Sequence, residues 1–411
     1  MKVRSNTPRI NQDRLWSELI EMGKIGARSG SGIFRPALSQ ADMEAKSWLE
    51  AKMVEAGLEV RTDAALNQIG RLPGKDASQV LALGSHLDTV PGGGAFDGAL
   101  GVLAALECAR VIAEQKISLP WDLEIINFCD EEGAHHAGTV GSRAMLGLLG
   151  KGEIVESRDG RPSFGHSLSH RGCDPAAIGR ARLDPGRFAG FLELHIEQGV
   201  FLQDQGAEVG AVTGIVGIHR YLVTVSGEAA HAGTTPMDRR RDALVEAAPF
   251  FTLLPEWVKE YGPDMVGTIG QVSLEPGAAN VIPGICCFMV ELRSLSSDAL
   301  DALGRRLLTY AQNRRGWSVR TVYQKNPTPL PHDMVSLVQK AAQDEGFSCP
   351  AIPSWAGHDC QSFALSGVPT ALIFVPCLDG ASHCPQESIT PEQAGRGCQV
   401  LLNAVLNLAW R

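Results

Sequence analysis

The sequence predicts an α/β protein into which a smaller α+β domain is inserted. Short apolar runs alternate with amphipathic stretches along most of the 411 residues, a pattern typical of α/β architecture. From about Gly214 the pattern changes to alternation in period two. A chain of this length is also long for a single core. We therefore expect a discontinuous larger domain, residues 1–213 and 329–411, and an inserted domain, residues 214–328.

Apolar runs predict the strands of the larger domain, and they are VLALG (80–84), LEIINF (123–128), GFLEL (190–194) and ALIFV (371–375). Residues 41–57 predict a helix, because apolar side chains recur at roughly helical spacing and Gly57 is placed to end it. Those side chains are Met43, Trp48, Met53 and Val54. Residues 102–112 predict another helix directly after a glycine-rich stretch.

The inserted domain is predicted to contain strands at 219–228, 285–294 and 318–324 and helices at 241–257 and 298–314. Strand–helix units of this kind form a small α+β layer. The flanking stretches VTGIVG and NPTPLPH are the candidate hinges.

The composition argues against several classes of function. The formal net charge is -9 and no basic cluster is longer than Arg239–Arg241, which disfavours a nucleic-acid partner. No apolar stretch has the length of a membrane span or a signal peptide, so we expect a cytoplasmic protein without a membrane partner. The ten cysteines lack C-x-x-C spacing, so neither a disulfide framework nor a structural zinc site is predicted.

The stretch GSHLDTVPGGGAFDGALG, residues 84–101, lies between a predicted strand and a predicted helix. Such a glycine-rich turn often binds phosphate, but here Gly98 is not followed by Lys-Ser or Lys-Thr, and G-x-G-x-x-G is missing. The stretch contains instead an imidazole, His86, and the carboxylates of Asp88 and Asp97. These groups favour a metal site over a nucleotide loop.

Side chains that can bind metal follow the apolar runs of the larger domain. They are His86, Glu131, Glu132, His195 and His383. In an open α/β sheet the carboxyl ends of the strands share the edge at which ligands bind, so we expect these side chains to converge. Each residue alone has an ordinary interpretation, since the chain has 11 histidines and an adjacent pair of glutamates is usually solvated. Their convergence favours a metal site.

Asp97 is the predicted bridge between two ions. Hydrolytic two-metal sites hold their ions roughly 3.5–4 Å apart, a spacing that a bridging carboxylate suits. The turn that carries Asp97 is rich in glycines, which permit backbone conformations and close approaches that a side chain would block. They are Gly92, Gly93, Gly94 and Gly98. Asp88 is expected to fix the tautomer of the His86 imidazole.

The sequence contains several long motifs, which are GSHLDTV, FDGALG, DEEG, GSR, LELHIEQG, GEAAHAGTTPMDRRRDAL, GHD and SHCPQE. Together they resemble the hydantoinase/carbamoylase family of M20-type metallopeptidases, and the resemblance runs from about residue 15 to the C-terminus. It implies a mixed sheet flanked by helices, as in di-metal aminopeptidases, with the inserted domain acting in closure and dimerisation. The expected assembly is a homodimer.

The resemblance also implies roles for individual residues. One divalent ion would be held by His86, Asp97 and His195, and the other by Asp97, Glu132 and His383. Glu131 would be the general base. His231, from the partner subunit's inserted domain, would stabilise the developing oxyanion. Substrate would be bound by Gln198, His231, Asn280, Arg293, Gly357 and His358. Zinc is the favoured ion, with manganese, cobalt or nickel as alternatives.

The family contains N-carbamoyl-L-amino-acid hydrolases, allantoate amidohydrolases and β-ureidopropionases, all of which act on small ureido molecules. LELHIEQG, with His195 where related exopeptidases typically have a carboxylate, points to the carbamoylase branch. The favoured reaction releases the amino acid, carbon dioxide and ammonia. Allantoate and β-ureidopropionate are the alternative substrates. More distant alternatives are an N-acyl amino-acid or peptide hydrolase, a non-catalytic binding protein and a cysteine-nucleophile amidase.

The chain departs from the family pattern at several positions. Ala134-His135-His136 stand where family members often have an arginine and an aromatic residue, and Trp355 stands where glycine is common. These replacements flank the expected pocket, so the sequence does not predict which side chain the substrate carries. Leu66 replaces a glycine that usually precedes the asparagine, and His219 stands where glutamine is frequent.

Overall fold

The computed structural model describes residues 8–135, 138–157 and 160–410. Within these ranges the chain divides into two compact units. The described residues of 1–213 and 330–411 form the larger unit, and Gly214–Pro329 form the smaller one.

The strands up to residue 215 are β1 (Ala27–Arg28), β2 (Gly32–Ile33), β3 (Glu59–Thr62), β4 (Gln68–Leu72), β5 (Asp76–His86), β6 (Trp121–Phe128), β7 (Phe188–Ile196) and β8 (Gly210–Ile215). The strands that follow in the smaller unit are β9 (Gly217–Ser226), β10 (Ala230–His231), β11 (Met265–Glu275), β12 (Val281–Ile282), β13 (Ile285–Ser294), β14 (Trp317–Lys325) and β15 (Thr328–Pro329). The last strands are β16 (Ala351–Ser354) and β17 (Thr370–Val375).

The α-helices before the smaller unit are α1 (Gln12–Met22), α2 (Gln40–Glu55), α3 (Ala99–Glu114), α4 (Val140–Met145), α5 (Lys151–Val155), α6 (Phe164–His170) and α7 (Phe201–Gln205). The smaller unit contains α8 (Ala243–Lys259) and α9 (Ser297–Gln312). The helices after it are α10 (His332–Gln343), α11 (Cys360–Leu365) and α12 (Pro391–Ala409).

The larger unit is built on a mixed sheet with the strand order β8-β17-β7-β5-β6-β4-β3, and β16 pairs with β8. The strands β17, β7, β5 and β6 run parallel, whereas β8, β4 and β3 are antiparallel to their neighbours. In the register His86 pairs with Phe128, and His195 pairs with Phe374. The carboxyl ends of the four parallel strands therefore meet at one edge, as the sequence predicts.

The parallel strands and helix α3 form the core of this unit. Every residue of β6 and β17 is buried, as expected for strands covered on both faces. Helix α3 is buried at every position from Ala99 to Ile112 and packs against β5, β7 and α12. Most of these side chains are apolar, as expected for a helix in a core, and the buried Glu107 and Arg110 form ion pairs with Arg14 and Glu18. The first turn of α3 consequently lies directly beside the glycine-rich loop.

Helix α2 forms where the sequence predicts it, but with a different buried face. Ala45, Leu49 and Met53 are buried, whereas Val54 is 60% exposed. Buried residues four apart lie on one face of a helix, and Val54, next to Met53, is turned away from that face. Gly57 has φ 78°, the left-handed conformation expected just after a helix end.

The smaller unit is an antiparallel sheet with the order β11-β13-β9-β14, and helices α8 and α9 pack against it. Side chains of β13 alternate, so Phe288 and Val290 are buried in the core with the helices while Arg293 lies on the other face. Strand β11 was not predicted from the sequence. It is an edge strand in which only Met265 is buried, so it lacks a clear apolar alternation.

The expected fold class, a mixed sheet flanked by helices with an inserted α+β unit, is confirmed. None of the described helices combines the length and the apolar character that crossing a membrane requires. The ten cysteines are free, and six of them are buried.

Candidate metal centre

Two groups of side chains in the described ranges could each hold a metal ion. One group is His86, Asp97 and His195, and the other is Asp97, Glu132 and His383. Within each group the possible ligand atoms lie within 4.8 Å of one another. The structure therefore brings together the five side chains that the family resemblance implies as metal ligands, and Asp97 belongs to both groups.

The two carboxylate oxygens of Asp97 face different groups. Oδ1 lies 3.1 Å from Nε2 of His195 and 3.5 Å from Nε2 of His86. Oδ2 lies 3.5 Å from Nε2 of His383, which is itself 3.4 Å from Oε2 of Glu132. One carboxylate can thus contribute an oxygen to each of two neighbouring ions.

The two buried imidazoles are oriented by backbone carbonyls. His86 ends strand β5, and its Nδ1 lies 3.0 Å from the carbonyl oxygen of Asp88. His195 lies near the end of β7, and its Nδ1 lies 2.9 Å from the carbonyl oxygen of Ile196. A proton on Nδ1 can be donated to each carbonyl, which leaves Nε2 of each ring without a proton and facing Asp97. Nε2 of His195 also accepts the backbone N–H of Gly98 at 3.2 Å.

The carboxylate of Asp88 differs from its expected role. It lies 3.8 Å from Nδ1 of His86, where the backbone carbonyl takes the closer place. Its two oxygens instead accept the backbone N–H groups of Glu131 (3.3 Å) and Glu132 (3.1 Å). The buried Asp88 therefore positions the Glu131–Glu132 turn, a contact that sequence spacing does not reveal.

The glycines of the 92–98 loop act through close approach. A Cβ on Gly98, which has φ 65°, would lie 2.5 Å from the His86 ring. A Cβ on Gly94 would lie 2.1 Å from the carboxyl carbon of Glu387. Sequence reasoning missed Glu387 as a site residue, although it lies in the SHCPQE motif. Oε1 of this buried carboxylate accepts the backbone N–H groups of Phe96 (2.8 Å) and Asp97 (2.9 Å).

The centre concentrates buried negative charge. Burial raises the pKa of Glu131 well above its usual range, and the charges of Asp359 and Glu132 add to this. Burial and the charge of Asp97 raise the pKa of Glu132 to about 8. For Asp97 burial acts in the same direction, but the neighbouring His195 outweighs it and holds the pKa well below the usual range. Cations at these positions would relieve the repulsion, so the donor set suits metal ions.

The two groups differ in access to solvent. His86, Asp97 and His195 are at most 5% exposed. The His383 side chain is 49% exposed, and its backbone adopts the left-handed region with φ 56°. An ion in the second group would therefore have room for water or substrate beside it.

The predicted substrate residues of the larger unit lie near this centre. Gln198, in the left-handed region with φ 59°, donates from Nε2 to Oδ2 of Asp97 at 2.7 Å. The ring of His358 lies 4.5 Å from the ring of His195, and its Nε2 is 2.9 Å from Ser354 Oγ. Gly357 is exposed with open space around its Cβ position.

Two predicted substrate residues of the smaller unit, His231 and Asn280, lie on neighbouring segments of that unit. His231 and Asn280 are exposed, and the backbone carbonyl of Asn280 accepts the N–H of Ala232. Nδ1 of His231 accepts the N–H groups of Gly233 (3.0 Å) and Thr234 (3.2 Å). In neutral His231 the ring proton is thus on Nε2.

Arg293 lies on strand β13 and forms an ion pair. Its Nε donates to Oε1 of Glu291 at 2.8 Å, and Arg220 donates to the other oxygen of Glu291 at 2.6 Å. Burial acts to raise the pKa of Glu291, but the two guanidinium groups outweigh it and lower this pKa. The Arg293 side chain is 30% exposed.

Physical reasons emerge for some departures from the family pattern. His135 is buried, with Nδ1 3.0 Å from Oδ2 of Asp130 and its ring edge-on to Phe164. Leu66 has φ 62°, which explains why glycine suits that position. Trp355 follows strand β16 and is partly buried. His136 lies outside the described residues.

The chain is similar to known proteins over nearly its whole length. A family model for Peptidase family M20/M25/M40 matches residues 82–407. An N-carbamoyl-L-amino acid amidohydrolase from Geobacillus stearothermophilus is 38% identical over 409 residues, covering 97% of this chain and 99% of that protein. An allantoate amidohydrolase from Bacillus subtilis is 32% identical over 400 residues, covering 95% of this chain and 96% of that protein.

Solved structures agree with these relatives. The crystal structure of a hydantoinase/carbamoylase family amidase from Burkholderia ambifaria matches with a TM-score of 0.88 and 36% identity, covering 98% of this chain and 99% of that one. The resemblance of the motifs is thus confirmed over nearly the whole length, and M20-type enzymes are metal-dependent. The chain belongs to the Peptidase family M20/M25/M40, in the branch of the hydantoinase/carbamoylase amidases.

Proposed function

We propose that the protein is a two-metal amidohydrolase that cleaves the carbamoyl group from an N-carbamoyl-L-amino acid. The observation that carries the proposal is the pair of ligand groups sharing Asp97, with Oε2 of Glu131 only 3.7 Å from Nε2 of His86. The name of the relative from Geobacillus stearothermophilus supports this substrate class. Allantoate is the second candidate, supported by the relative from Bacillus subtilis, and β-ureidopropionate is a third.

In this proposal His86, Asp97 and His195 hold one divalent ion, and Asp97, Glu132 and His383 hold the other. Zinc is the favoured ion because imidazole and carboxylate ligands suit it, while manganese, cobalt and nickel remain alternatives. When bound, such ions polarise a carbonyl and make water more acidic.

Glu131 moves the protons of the reaction. Its carboxylate takes a proton from a water whose oxygen attacks the ureido carbon. The C–N bond then breaks, its electron pair goes to the nitrogen, and that nitrogen takes the proton from Glu131. The remaining carbamic acid breaks down to carbon dioxide and the second nitrogen product. One water is consumed, and the amino acid, ammonia and carbon dioxide are released.

The proposal includes a homodimer in which the partner subunit supplies His231. The backbone donors at Nδ1 leave Nε2–H of His231 as an outward-facing donor, which suits an oxyanion. Strand β11 offers an exposed edge with Val266 42% and Val272 46% exposed. A small apolar groove beside it is lined in part by Phe251 and Ile269. Edge strands of this kind can pair across a two-fold axis.

The substrate carboxylate is assigned to Arg293, with Asn280 as a second donor. A guanidinium offers two parallel donors to a carboxylate, and here Glu291 already holds Arg293 in place. Gln198, Gly357 and His358 complete the proposed substrate contacts near the metal centre.

The test is ammonia release from N-carbamoyl-L-amino acids, allantoate, β-ureidopropionate and N-acetyl-L-amino acids. We expect the highest kcat/KM with an N-carbamoyl-L-amino acid and loss of turnover after chelation, restored by a divalent ion. Full activity in verified metal-free protein would contradict the mechanism. A preference for allantoate would replace the substrate assignment but keep the chemistry, and inactivity on all ureido compounds would reject the function.

A further inference from the structure

We propose that Glu387 is a positioning residue that secures the second ion by joining the loop that carries His383 to the loop that carries Asp97. The inference deepens the proposed function, since it presupposes that the two ligand groups hold metal ions. Glu387 is not a member of either group. Its contribution is to hold the backbone of one ligand next to the loop of another.

The contacts of the 382–387 loop reach Asp97 from two sides. Oε1 of Glu387 accepts the N–H groups of Phe96 and Asp97 at 2.8 and 2.9 Å, which fixes the backbone of the bridging residue. Ser382 Oγ donates to Oδ2 of Asp97 at 2.8 Å and lies 3.4 Å from Oε2 of Glu387. The same short loop thus orients both the main chain and the carboxylate of Asp97.

The fit of Glu387 requires a glycine opposite it. A Cβ on Gly94 would lie 2.1 Å from the carboxyl carbon and 2.2 Å from Oε1 of Glu387. The backbone of Gly94 is outside the left-handed region, so an alanine there meets the carboxylate without backbone strain of its own. Because residue 94 has no side chain, the Glu387 carboxylate can reach the N–H groups of Phe96 and Asp97.

The two ions depend on this contact to different degrees. His86 and His195 are buried at the ends of strands β5 and β7, whose hydrogen bonds hold them without Glu387. His383 is on a loop, is 49% exposed and lies four residues before Glu387. Loss of the Glu387 contact should consequently lower the affinity for the ion held by Asp97, Glu132 and His383 more than the affinity for the ion of the first group.

The variants separate positioning from ligation. E387Q keeps an oxygen that can accept both backbone N–H groups but removes the charge. E387A removes the acceptor, and G94A displaces it while leaving Glu387 in the chain. N403A is the matched control, because buried Asn403 on α12 bonds Ala341 and Glu345 away from the ligands.

Metal binding is measured on the full chain by zinc titration calorimetry and by elemental analysis after dialysis, with thermal unfolding in parallel. We expect the wild type to bind two ions. In E387A and G94A the affinity for the second ion should fall about ten- to a hundredfold. E387Q and N403A should bind both ions nearly as the wild type does, although N403A should unfold at a lower temperature. Should E387A fail to fold, G94A and E387Q carry the same comparison.

Several results would overturn the inference. Unchanged binding of both ions in E387A and G94A would show that Glu387 positions nothing, and equal weakening of both ions would remove the selectivity. A loss in E387Q as large as in E387A would make the charge of Glu387, not its acceptor contacts, the determinant. A wild-type protein that binds no ion would instead reject the proposed function on which the inference rests.

Discussion

At the scale of single residues, the neighbours Glu131 and Glu132 point in different directions, and the different roles proposed for them rest on this. Glu131 points at Nε2 of His86, and Glu132 points at Nε2 of His383. Asp88 accepts the backbone N–H groups of both residues, so we expect the turn to keep its shape when either side chain is altered. Substitution of each glutamate in turn is therefore a clean comparison.

Glu131→Gln should keep both ions but lose about 10²- to 10⁴-fold in kcat, because an amide cannot accept the proton of water. Glu132→Gln should instead lose affinity for an ion. Metal content and kcat per bound ion of the two variants decide between the roles. Loss of metal from both variants, with a normal rate per ion in Glu131→Gln, would mean that the roles are wrongly assigned.

Leu66 carries backbone strain that glycine would relieve. Its φ of 62° is unfavourable for a side chain with a Cβ, while the leucine packs beside the cluster that includes Ala65 and Phe164. Leu66→Ala and Leu66→Gly lose the same packing, but only glycine adopts this conformation without backbone strain. We expect the glycine variant to be more stable than the alanine variant by about 1 kcal/mol in urea unfolding. The reverse order would show that residue 66 is not strained.

At the scale of elements, some of the candidate metal ligands lie at the ends of strands and the others lie on loops. His86 and His195 are placed by the parallel strands β5 and β7, and the turn after β6 brings Glu131 and Glu132 to the same edge. Asp97 and His383 come from loops, and Asp97 is contacted by Glu387, Ser382 and Gln198. We therefore expect the ligands on hydrogen-bonded strands to be held more rigidly than the ligands on loops.

The core of the smaller unit contains a buried histidine with a stability consequence. His219 on β9 is 2% exposed, its Nε2 has no hydrogen-bond partner among the described residues, and Asp301 lies 4.0 Å from its Nδ1. Burial lowers the pKa of His219, although Asp301 acts against this. The unfolded chain then binds a proton more readily than the folded one. The stability contribution is present above about pH 6.5 and is lost as the pH falls towards the folded pKa.

His219→Gln should accordingly flatten the fall in the urea midpoint between neutral and acidic pH, since the amide does not titrate. Exposed His332 on α10 supplies the control, and His332→Gln should leave the pH profile as in the wild type. Identical slopes for the wild type and His219→Gln would show that His219 does not destabilise the acidic protein.

At the scale of the whole molecule, the proposed dimer can be tested by mixing inactive chains. If the partner subunit supplies His231, a heterodimer of Glu131→Gln and His231→Ala has one site with both residues intact. Random exchange of equal amounts should recover about one quarter of the wild-type activity, since half of the dimers are mixed and each has one intact site. Each variant taken through the same procedure alone is the control. No recovery after demonstrated subunit exchange would place His231 in the site of its own chain or outside catalysis.

The sequence by itself determined the fold class, the main strands of the larger unit and the six side chains expected at its edge, which are His86, Asp97, Glu131, Glu132, His195 and His383. It could do so because apolar runs are local signals, and because the carboxyl ends of parallel strands share one edge whatever the details of packing. The family resemblance added the pairing of five of those side chains into two groups. The location in the cytoplasm, the dimer and the roles of the substrate residues stay predictions.

Only the tertiary structure decided which atoms meet. In the structure the Asp88 carboxylate accepts the backbone N–H groups of Glu131 and Glu132. The Glu387 carboxylate accepts those of Phe96 and Asp97, and β11 belongs to the smaller sheet. Glu387 is 290 positions from Asp97 in the chain, and no local pattern links residues so far apart. Side-chain direction, burial and access to backbone donors arise from the packing of distant segments, and a single sequence does not encode these contacts in any short stretch.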